Sequence, residues 1–231
     1  MADPRQLEHV QEAIRYRFID PQLLVTALTH SSYASENNVE SYERLEFLGD
    51  AVLEMATTQR IFEELANASE GRMTRVRAAV VDEATLASVA REAGLTPAIR
   101  LGVGEDRNGG RGRSSIQSDV VEAILGAVFL DGGSESAFDV VFHLLGDEIT
   151  DRLAAPQIAD PRSNLQEELA RTGRTVSFEF VRSGPDHAVI YTATATVDGE
   201  VVSTGSGASK KSAAIEAARV ALRQDSDGEA S

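Results

Sequence analysis

The hydrophobic pattern changes once along the chain, and this change limits the possible folds more than any other feature. From Gln6 to Leu153, apolar residues recur at spacings of three and four, which predicts helices. The expected helices are 6–16, 21–28, 41–66, 72–80, 83–93, 115–131 and 134–153. Later in the chain the pattern predicts a helix at 163–171, strands at 176–181, 189–197 and 200–206, and a helix at 209–223. An all-α domain followed by a small α-β-β-β-α domain is therefore expected.

The segment between these two patterns is typical of a linker. It contains Pro156 and Pro161 and few residues that could be buried. We expect a helical domain at 6–154, a linker at 155–161, a second domain at 162–224 and a disordered tail at 225–231.

Composition excludes several classes of site. The chain has no cysteine, so disulfides, thiolate metal sites and cysteine nucleophiles are excluded. No apolar run reaches the roughly 18 residues that span a bilayer, and the first ten residues do not have the pattern of a signal peptide. We therefore expect a soluble, cytoplasmic protein with no membrane partner and no small-molecule cofactor. Its formal charge of −15 argues at first against a nucleic-acid partner.

Acidic residues occur on a helix where apolar ones are expected. At 100° per residue, Glu43, Glu46 and Asp50 point within about 60° of each other, so they form one acidic stripe. The surrounding residues are mostly apolar, which indicates that the stripe is not an ordinary solvent face. Like charges at these spacings repel, and something must offset that repulsion.

A second acidic stripe lies in the apolar segment from Ile116 to Leu130, whose only charged residues are Asp119 and Glu122. Two such helices facing each other would bring four or five carboxylates together. Buried carboxylates are stabilised by protonation, by arginine or by a hard divalent cation. We favour Mg²⁺, because it takes oxygen ligands and commonly binds one or two carboxylates together with a substrate phosphate.

Arginine pairing or a di-iron site could also account for acids on these helices. In the arginine interpretation, Glu43 and Glu46 pair with nearby arginines and Asp119 caps a helix after Ser118. The candidate partners are Arg44, Arg75 and Arg77. Pairing and capping account for one stripe well but for two stripes poorly. A di-iron site needs Glu-x-x-His twice. No glutamate of either stripe has a histidine three residues later, so the di-iron interpretation fails.

The segment 43–53, with the sequence ERLEFLGDAVL, resembles the signature of bacterial ribonuclease III. Three further blocks resemble that family in the family's order: THSSYA at 29–34, Glu70-Gly71 before RVRA at 75–78, and SDVVEA at 118–123. The resemblance extends from about residue 6 to residue 223. It implies a homodimeric, Mg²⁺-dependent endonuclease, with Mn²⁺ able to substitute. Such an enzyme cuts double-stranded RNA to 5′-phosphate and 3′-hydroxyl ends with two-nucleotide 3′ overhangs, and processes rRNA precursors and some mRNAs.

The resemblance also implies roles for individual residues. The metal ligands would be Glu46, Asp119 and Glu122, and the carboxylates needed for catalysis would be Asp50, Glu122, Glu43 and Glu70. Phe47 would belong to the dimer interface, the alternative for this residue being ordinary core packing. Two positions depart from the family, Tyr42 where it often has Asn and Ser31 where it often has Arg. These departures put only local packing and RNA contacts in doubt.

The second domain resembles a double-stranded RNA-binding domain. In such domains the first helix and one loop enter successive minor grooves, and the start of the last helix spans the phosphates between them. This implies RNA contacts by Gln166 and His187, and by Ser209, Lys210 and Lys211. The two lysines are the only ones in the chain, and they begin a helix where a cation is unfavourable unless an anion binds.

A loop with three arginines, 107–115, leads into the second acidic stripe. It would either steer phosphate toward the metal or be a flexible solvated loop. The alternative function for the whole chain is a double-stranded RNA-binding protein that lacks catalysis. The complete set of six carboxylates favours the enzyme, because a protein that only binds RNA has no physical reason to keep that repulsion.

Overall fold

The computed structural model describes residues 3–66, 68–155, 161–185 and 189–228. The chain divides into two compact units. One runs to Ala66 and resumes from Val76 to Ala154, and the other takes the segment that ends at Arg75 and the chain from Ala155 onward. The predicted helical domain 6–154 included the segment that ends at Arg75, whereas this division places that segment in the second unit. Most of the predicted linker, residues 156–160, lies outside the described residues.

The described part of the first unit is helical, as predicted. Its elements are α1 (Pro4–Ala13), α2 (Pro21–Ala27), α3 (Ser31–Asn37), α4 (Glu43–Glu64), α6 (Glu83–Glu92), α7 (Val103–Arg107) and α8 (Ser114–Ala154), and α5 (Glu70–Val80) begins in the second unit and ends in the first. The pattern missed α3 and α7, which are seven and five residues long. No helix among the described residues has the length and apolar character needed to cross a membrane.

Turn and cap residues set the helix ends. Asp20 caps α2 by accepting a hydrogen bond from the Gln22 amide at 2.9 Å, and Pro21 stands at the first helical position, where its missing N–H costs nothing. Gly133 interrupts α8 with φ 79° and ψ −174°, a conformation that glycine adopts readily. This break lies where the sequence predicts separate helices at 115–131 and 134–153.

The core of the first unit lies around the first half of α8, which packs against α2, α4 and α6. From Val120 to Val128 every residue is buried except Glu122, which is partly exposed. Helix α8 therefore carries one carboxylate into an apolar environment, and that carboxylate faces α4.

The second unit contains α9 (Pro161–Arg171), β1 (Val176–Ser183), β2 (Ile190–Val197), β3 (Glu200–Gly207) and α10 (Lys210–Gly228). The strands form an antiparallel sheet in the order β1-β2-β3. Asp198 and Gly199 connect β2 to β3 with φ of 50° and 91°, the left-handed geometry of a two-residue hairpin. The predicted α-β-β-β-α order is confirmed.

Small side chains allow α10 to lie close to the sheet. Ala193 and Ala195 of β2 pack against Ala213 and Ala217 of α10, all fully buried. A Cβ at Gly205 would lie 2.1 Å from the Ala217 backbone nitrogen, so that position of β3 requires glycine. Helix α10 extends to Gly228, so the expectation of a disordered tail was wrong for residues 225–228. Residues 229–231 lie outside the described part of the chain.

Candidate functional site

Two glycines set the distance between the helices that carry the acidic stripes. A Cβ at Gly49 of α4 would lie 1.7 Å from the Glu122 carbonyl oxygen, and a Cβ at Gly126 of α8 would lie 2.1 Å from the Leu45 carbonyl oxygen. Both distances are far below van der Waals contact, so the two backbones touch at this crossing. Glu46 and Glu122 lie within about one helical turn of it.

The crossing brings Glu46 of α4 together with Asp119 and Glu122 of α8. One carboxylate oxygen from each of these three residues lies within 4.8 Å of the other two. All three side chains are partly buried. The acidic stripes predicted on two separate helices therefore meet, and their closest members form a three-carboxylate cluster.

Burial and mutual repulsion make these carboxylates hard to ionise. Burial, followed by the charges of Asp50, Asp119 and Glu46, raises the pKa of Glu122 to about 7. Burial and the neighbouring acids also raise the pKa of Glu46. The cluster thus holds closely spaced groups whose full ionisation requires compensating positive charge.

The third carboxylate has neutral hydrogen-bond donors beside it. The Tyr42 hydroxyl donates to Oδ2 of Asp119 at 3.1 Å, and the Ser118 hydroxyl lies 3.4 Å from Oδ1. Burial raises the pKa of Asp119, and these two hydrogen bonds partly offset the effect. Burial and the Asp119 charge raise the pKa of the Tyr42 phenol, which therefore stays protonated as a donor.

The interpretation by arginine pairing and helix capping agrees poorly with this geometry. Asp119 lies inside α8, five residues after its start at Ser114, so it is not a cap. Arg77 faces Glu54 at 3.7 Å and donates to the Thr58 hydroxyl at 3.2 Å. That arginine is therefore engaged with residues that differ from its predicted partners on the acidic stripe.

The donor set suits a hard divalent cation. Carboxylate oxygens are the ligands that Mg²⁺ and Mn²⁺ prefer, and two ligands on opposite sides of one Mg²⁺ lie about 4.2 Å apart. Three ligands on one octahedral ion include at least two adjacent pairs, about 3.0 Å apart, so oxygens within 4.8 Å of one another need to move closer by less than about 2 Å, a change that side-chain rotation can supply. A cation would also supply the positive charge that the raised pKa values require.

The remaining predicted acids lie outside the three-carboxylate cluster. Asp50, one turn after Glu46, is exposed, and its charge contributes to the raised pKa of Glu122. Glu43 is exposed, accepts a hydrogen bond from the Ser41 hydroxyl at 2.7 Å and contributes to the raised pKa of Glu46. Glu70 is the first residue of α5, accepts from the Thr74 hydroxyl at 2.8 Å and belongs to the second unit. The catalytic and metal-binding roles of all these acids stay predictions.

Phe47 is one of the most exposed apolar residues of the described chain, with 83% of its surface accessible. This excludes the alternative of core packing. It lines an open pocket of about 820 Å³ together with Leu23, Leu48 and Leu130. Met55 and Phe62 on the same helix are also exposed, at 63% and 68%. An apolar surface of this kind is suited to contact with another protein surface.

The predicted RNA-contacting residues of the second unit lie on its surface where the structure describes them. Gln166 is exposed on α9, and Lys210 and Lys211 are exposed in the first turn of α10. Lys210 Nζ lies 5.8 Å from the centre of the Phe180 ring. Ser209 accepts a hydrogen bond from the Ser212 amide at 3.1 Å, which fixes the start of α10. His187 lies outside the described residues.

Two residues of the arginine loop make contacts within the first unit, although most of the loop is exposed to solvent. Arg111 donates to the carbonyl oxygens of Thr96, Pro97 and Ile99 at 3.0, 3.1 and 2.7 Å. Arg113 pairs with Glu105 at 2.9 Å. These two guanidinium groups hold the loop to the rest of the unit. Steering of phosphate by the loop stays a prediction.

Sequence reasoning missed the structural roles of Gly49, Gly126 and Tyr42. The glycines had a detectable signal, because glycine inside an apolar helix costs about 1 kcal/mol relative to alanine and needs a packing reason. The sequence signal for Tyr42 was weaker, since this residue stands out only because the family often has asparagine at its position. Its contact with Asp119 links residues 77 positions apart.

Comparison with known proteins agrees with both units. Residues 20–149 match the family described as Ribonuclease-III-like, and residues 161–224 match the double-stranded RNA binding motif. Ribonuclease 3 of Oleidesulfovibrio alaskensis is 44% identical over 220 residues, which cover 93% of this chain and 96% of that protein. Ribonuclease 3 of Leifsonia xyli subsp. xyli is 43% identical over 202 residues, which cover 87% and 85% respectively.

A solved structure agrees with these sequence matches. The nuclease domain of ribonuclease III from Campylobacter jejuni superposes with a TM-score of 0.58 at 38% identity, covering 61% of this chain and 96% of that one. The family matches, the identities and the acidic cluster between α4 and α8 lead to one assignment. The chain belongs to the ribonuclease III family and is a metal-dependent endoribonuclease with a double-stranded RNA-binding domain.

Proposed function

We propose that this chain is a Mg²⁺-dependent endonuclease that hydrolyses double-stranded RNA at the carboxylate cluster, with Mn²⁺ able to replace Mg²⁺. The observation that carries the proposal is the approach of Glu46, Asp119 and Glu122 to within 4.8 Å in a partly buried site. Three carboxylates held this close are costly without a cation, and the fold brings two helix backbones into contact to hold them there.

Within this proposal the three clustered carboxylates hold the cation, with Asp50 and Glu43 at the exposed edge of the site. When bound, Mg²⁺ would activate a water nucleophile and stabilise negative charge on the phosphate. Asp50 is exposed and close enough to the cluster to affect its ionisation, so it can orient water or substrate at the open side. Glu43 and Glu70 are proposed to support the scissile strand. The products are proposed to carry 5′-phosphate and 3′-hydroxyl ends with two-nucleotide 3′ overhangs.

We assign RNA binding to five residues of the second unit. Gln166 and His187 are proposed to contact minor grooves, and Ser209, Lys210 and Lys211 to contact the intervening phosphates. Two adjacent ammonium groups at a helix start form a phosphate site of the kind that an acidic protein needs. We propose rRNA precursors and some mRNAs as substrates, in the cytoplasm.

We further propose that the enzyme acts as a homodimer through the apolar surface around Phe47. A region of the Campylobacter jejuni nuclease domain takes part in dimer formation. The exposed Phe47 ring lines a pocket formed with residues of α2, α4 and α8, so an apolar ring and an apolar recess lie side by side on one surface, and a two-fold axis could pair each with the other.

The catalytic proposal is tested with a long RNA duplex incubated with wild type, Glu122→Gln and Glu135→Gln. Glu135 is an exposed acid on the same helix and serves as the matched control. Wild type and Glu135→Gln should fragment the duplex with Mg²⁺ but not with EDTA, and Glu122→Gln should bind the duplex without cutting it. Product ends are read on a gel with single-nucleotide resolution. Unchanged cleavage by Glu122→Gln refutes the site, and binding by wild type without cleavage indicates an RNA-binding protein that lacks catalysis.

A further inference from the structure

Tyr42 is a buried residue that touches the carboxylate cluster without being an acid. It precedes α4 directly, only 2% of its surface is exposed, and its hydroxyl donates to Oδ2 of Asp119 at 3.1 Å. The hydrogen bond joins the start of α4 to α8. It therefore acts at the same helix pair as the two glycines of the crossing.

The position of the Tyr42 ring is fixed by groups outside the cluster. Its backbone N–H donates to the Thr29 carbonyl oxygen at 2.8 Å, and the His30 ring packs edge-on with centroids 5.7 Å apart. Thr29 is held in turn by the Arg100 guanidinium, which donates to its hydroxyl at 2.8 Å. The phenol is thus set by the surrounding fold, and the Asp119 carboxylate has to adapt to it.

A phenol suits this place because it donates a hydrogen bond without bringing a charge. A bond to Oδ2 restricts rotation of the Asp119 carboxylate and leaves lone pairs available on both oxygens, with the Ser118 hydroxyl 3.4 Å from Oδ1. An arginine at the same place would donate equally well, but its positive charge would compete with a cation. Residues that orient a metal-binding carboxylate in this way typically change metal affinity or activity by about 10- to 100-fold when they are replaced.

We propose that Tyr42 is a positioning residue that holds the Asp119 carboxylate in the orientation needed to bind the cation. This inference rests on the proposed function, because it requires Asp119 to be a ligand. Tyr42→Phe removes one oxygen atom and keeps the ring, so the packing against His30 is retained.

The test measures Mn²⁺ affinity by calorimetry in the absence of RNA, and cleavage as a function of Mg²⁺ concentration. Tyr42→Phe should weaken Mn²⁺ binding by about 10-fold and raise the Mg²⁺ midpoint for cleavage by a similar factor. The maximal rate should recover at saturating Mg²⁺, because the ligands themselves remain. The matched control is Tyr16→Phe, which removes a tyrosine hydroxyl that donates to Asp131 at 2.8 Å. The control should bind Mn²⁺ like wild type.

Asp119→Asn separates failure of this inference from failure of the proposed function. If Asp119→Asn loses Mn²⁺ binding and Tyr42→Phe binds as wild type does, the role of Tyr42 is refuted and the metal site stands. If Asp119→Asn binds as wild type does, the metal site is refuted and the inference falls with it. Equal losses in Tyr42→Phe and Tyr16→Phe would also refute the inference, because they would reflect a general structural effect.

Discussion

Replacement of Gly126 by alanine should disrupt the helix crossing on which the site depends. The new Cβ would lie 2.1 Å from the Leu45 carbonyl oxygen, and reaching the 3.4 Å of an ordinary contact requires a shift of about 1.3 Å. The neighbouring atoms are backbone, so no side chain can rotate away. Overpacking of this kind costs about 1–3 kcal/mol, and we expect a value near the upper end.

Gly146→Ala provides a control on the same helix. No heavy atom lies within 4 Å of the Cβ that this change would add, so the extra methyl is accommodated freely. An alanine inside a helix is favoured over glycine by about 0.5–1 kcal/mol, so this variant should be slightly more stable than wild type. The two variants should therefore differ by about 3–4 kcal/mol in free energy of unfolding.

The assay is thermal unfolding followed by circular dichroism at 222 nm, together with Mn²⁺ binding below the transition. At about 2–4 °C per kcal/mol for a chain of this size, Gly126→Ala should melt roughly 10 °C below Gly146→Ala. It should also bind Mn²⁺ more weakly, because a shift at the crossing separates Glu46 from Glu122. Equal melting temperatures and equal affinities in the two variants would refute the close crossing and its role in the site.

Three further predictions concern charge and surface contacts. Because the folded pKa of Glu122 is about 7 and its ordinary value is 4.5, the EDTA-treated protein should lose stability as pH rises from about 4.5 to 7. Partial exposure limits the contribution of Glu122 to about 1–2 kcal/mol. In urea unfolding at pH 5 and pH 8, Glu122→Gln should reduce the loss of stability by that amount, and the raised pKa values of Glu46 and Asp119 should account for the remainder. An unchanged difference between the two pH values would contradict the raised pKa of Glu122. The double variant Lys210→Ala, Lys211→Ala should weaken binding to all RNA duplexes alike and lower the slope of log affinity against log salt by about 2. A loss confined to particular sequences would exclude phosphate contacts. Phe47→Ala should shift the protein from dimer toward monomer in sedimentation experiments. The control Val103→Ala, which also changes an exposed apolar residue, should leave the dimer intact. A Phe47→Ala protein that stays dimeric would exclude this interface.

Strong local periodicity made most of the helices and strands predictable. The break of α8 at Gly133 and the hairpin at Asp198-Gly199 followed from turn chemistry that acts within a few residues. Helix α3 was missed because its seven residues, SSYASEN, contain no apolar repeat. The end of α10 was misplaced because polarity alone does not show where a helix stops.

The meeting of the two acidic stripes could be predicted because carboxylates inside apolar helices need a common cause. Which acids turn inward could not, since that depends on the rotation of two helices about a crossing set by Gly49 and Gly126. The sequence places Glu43, Glu46 and Asp50 on one stripe, yet only Glu46 is partly buried. The internal contacts of Arg111 could not be predicted either, because its carbonyl partners lie 12 to 15 residues away, in and just after a short 3-10 helix.

A divalent cation should bind between α4 and α8. Crystals soaked in Mn²⁺ and measured for anomalous scattering test this directly, because the ion is located without reference to activity. Wild-type crystals should show a peak about 2.1–2.2 Å from oxygens of Glu46, Asp119 and Glu122, and crystals of the Asp119→Asn protein should show no peak there. Wild-type crystals with no anomalous peak between these three carboxylates, or with Mn²⁺ bound only elsewhere, would contradict cation binding at this site.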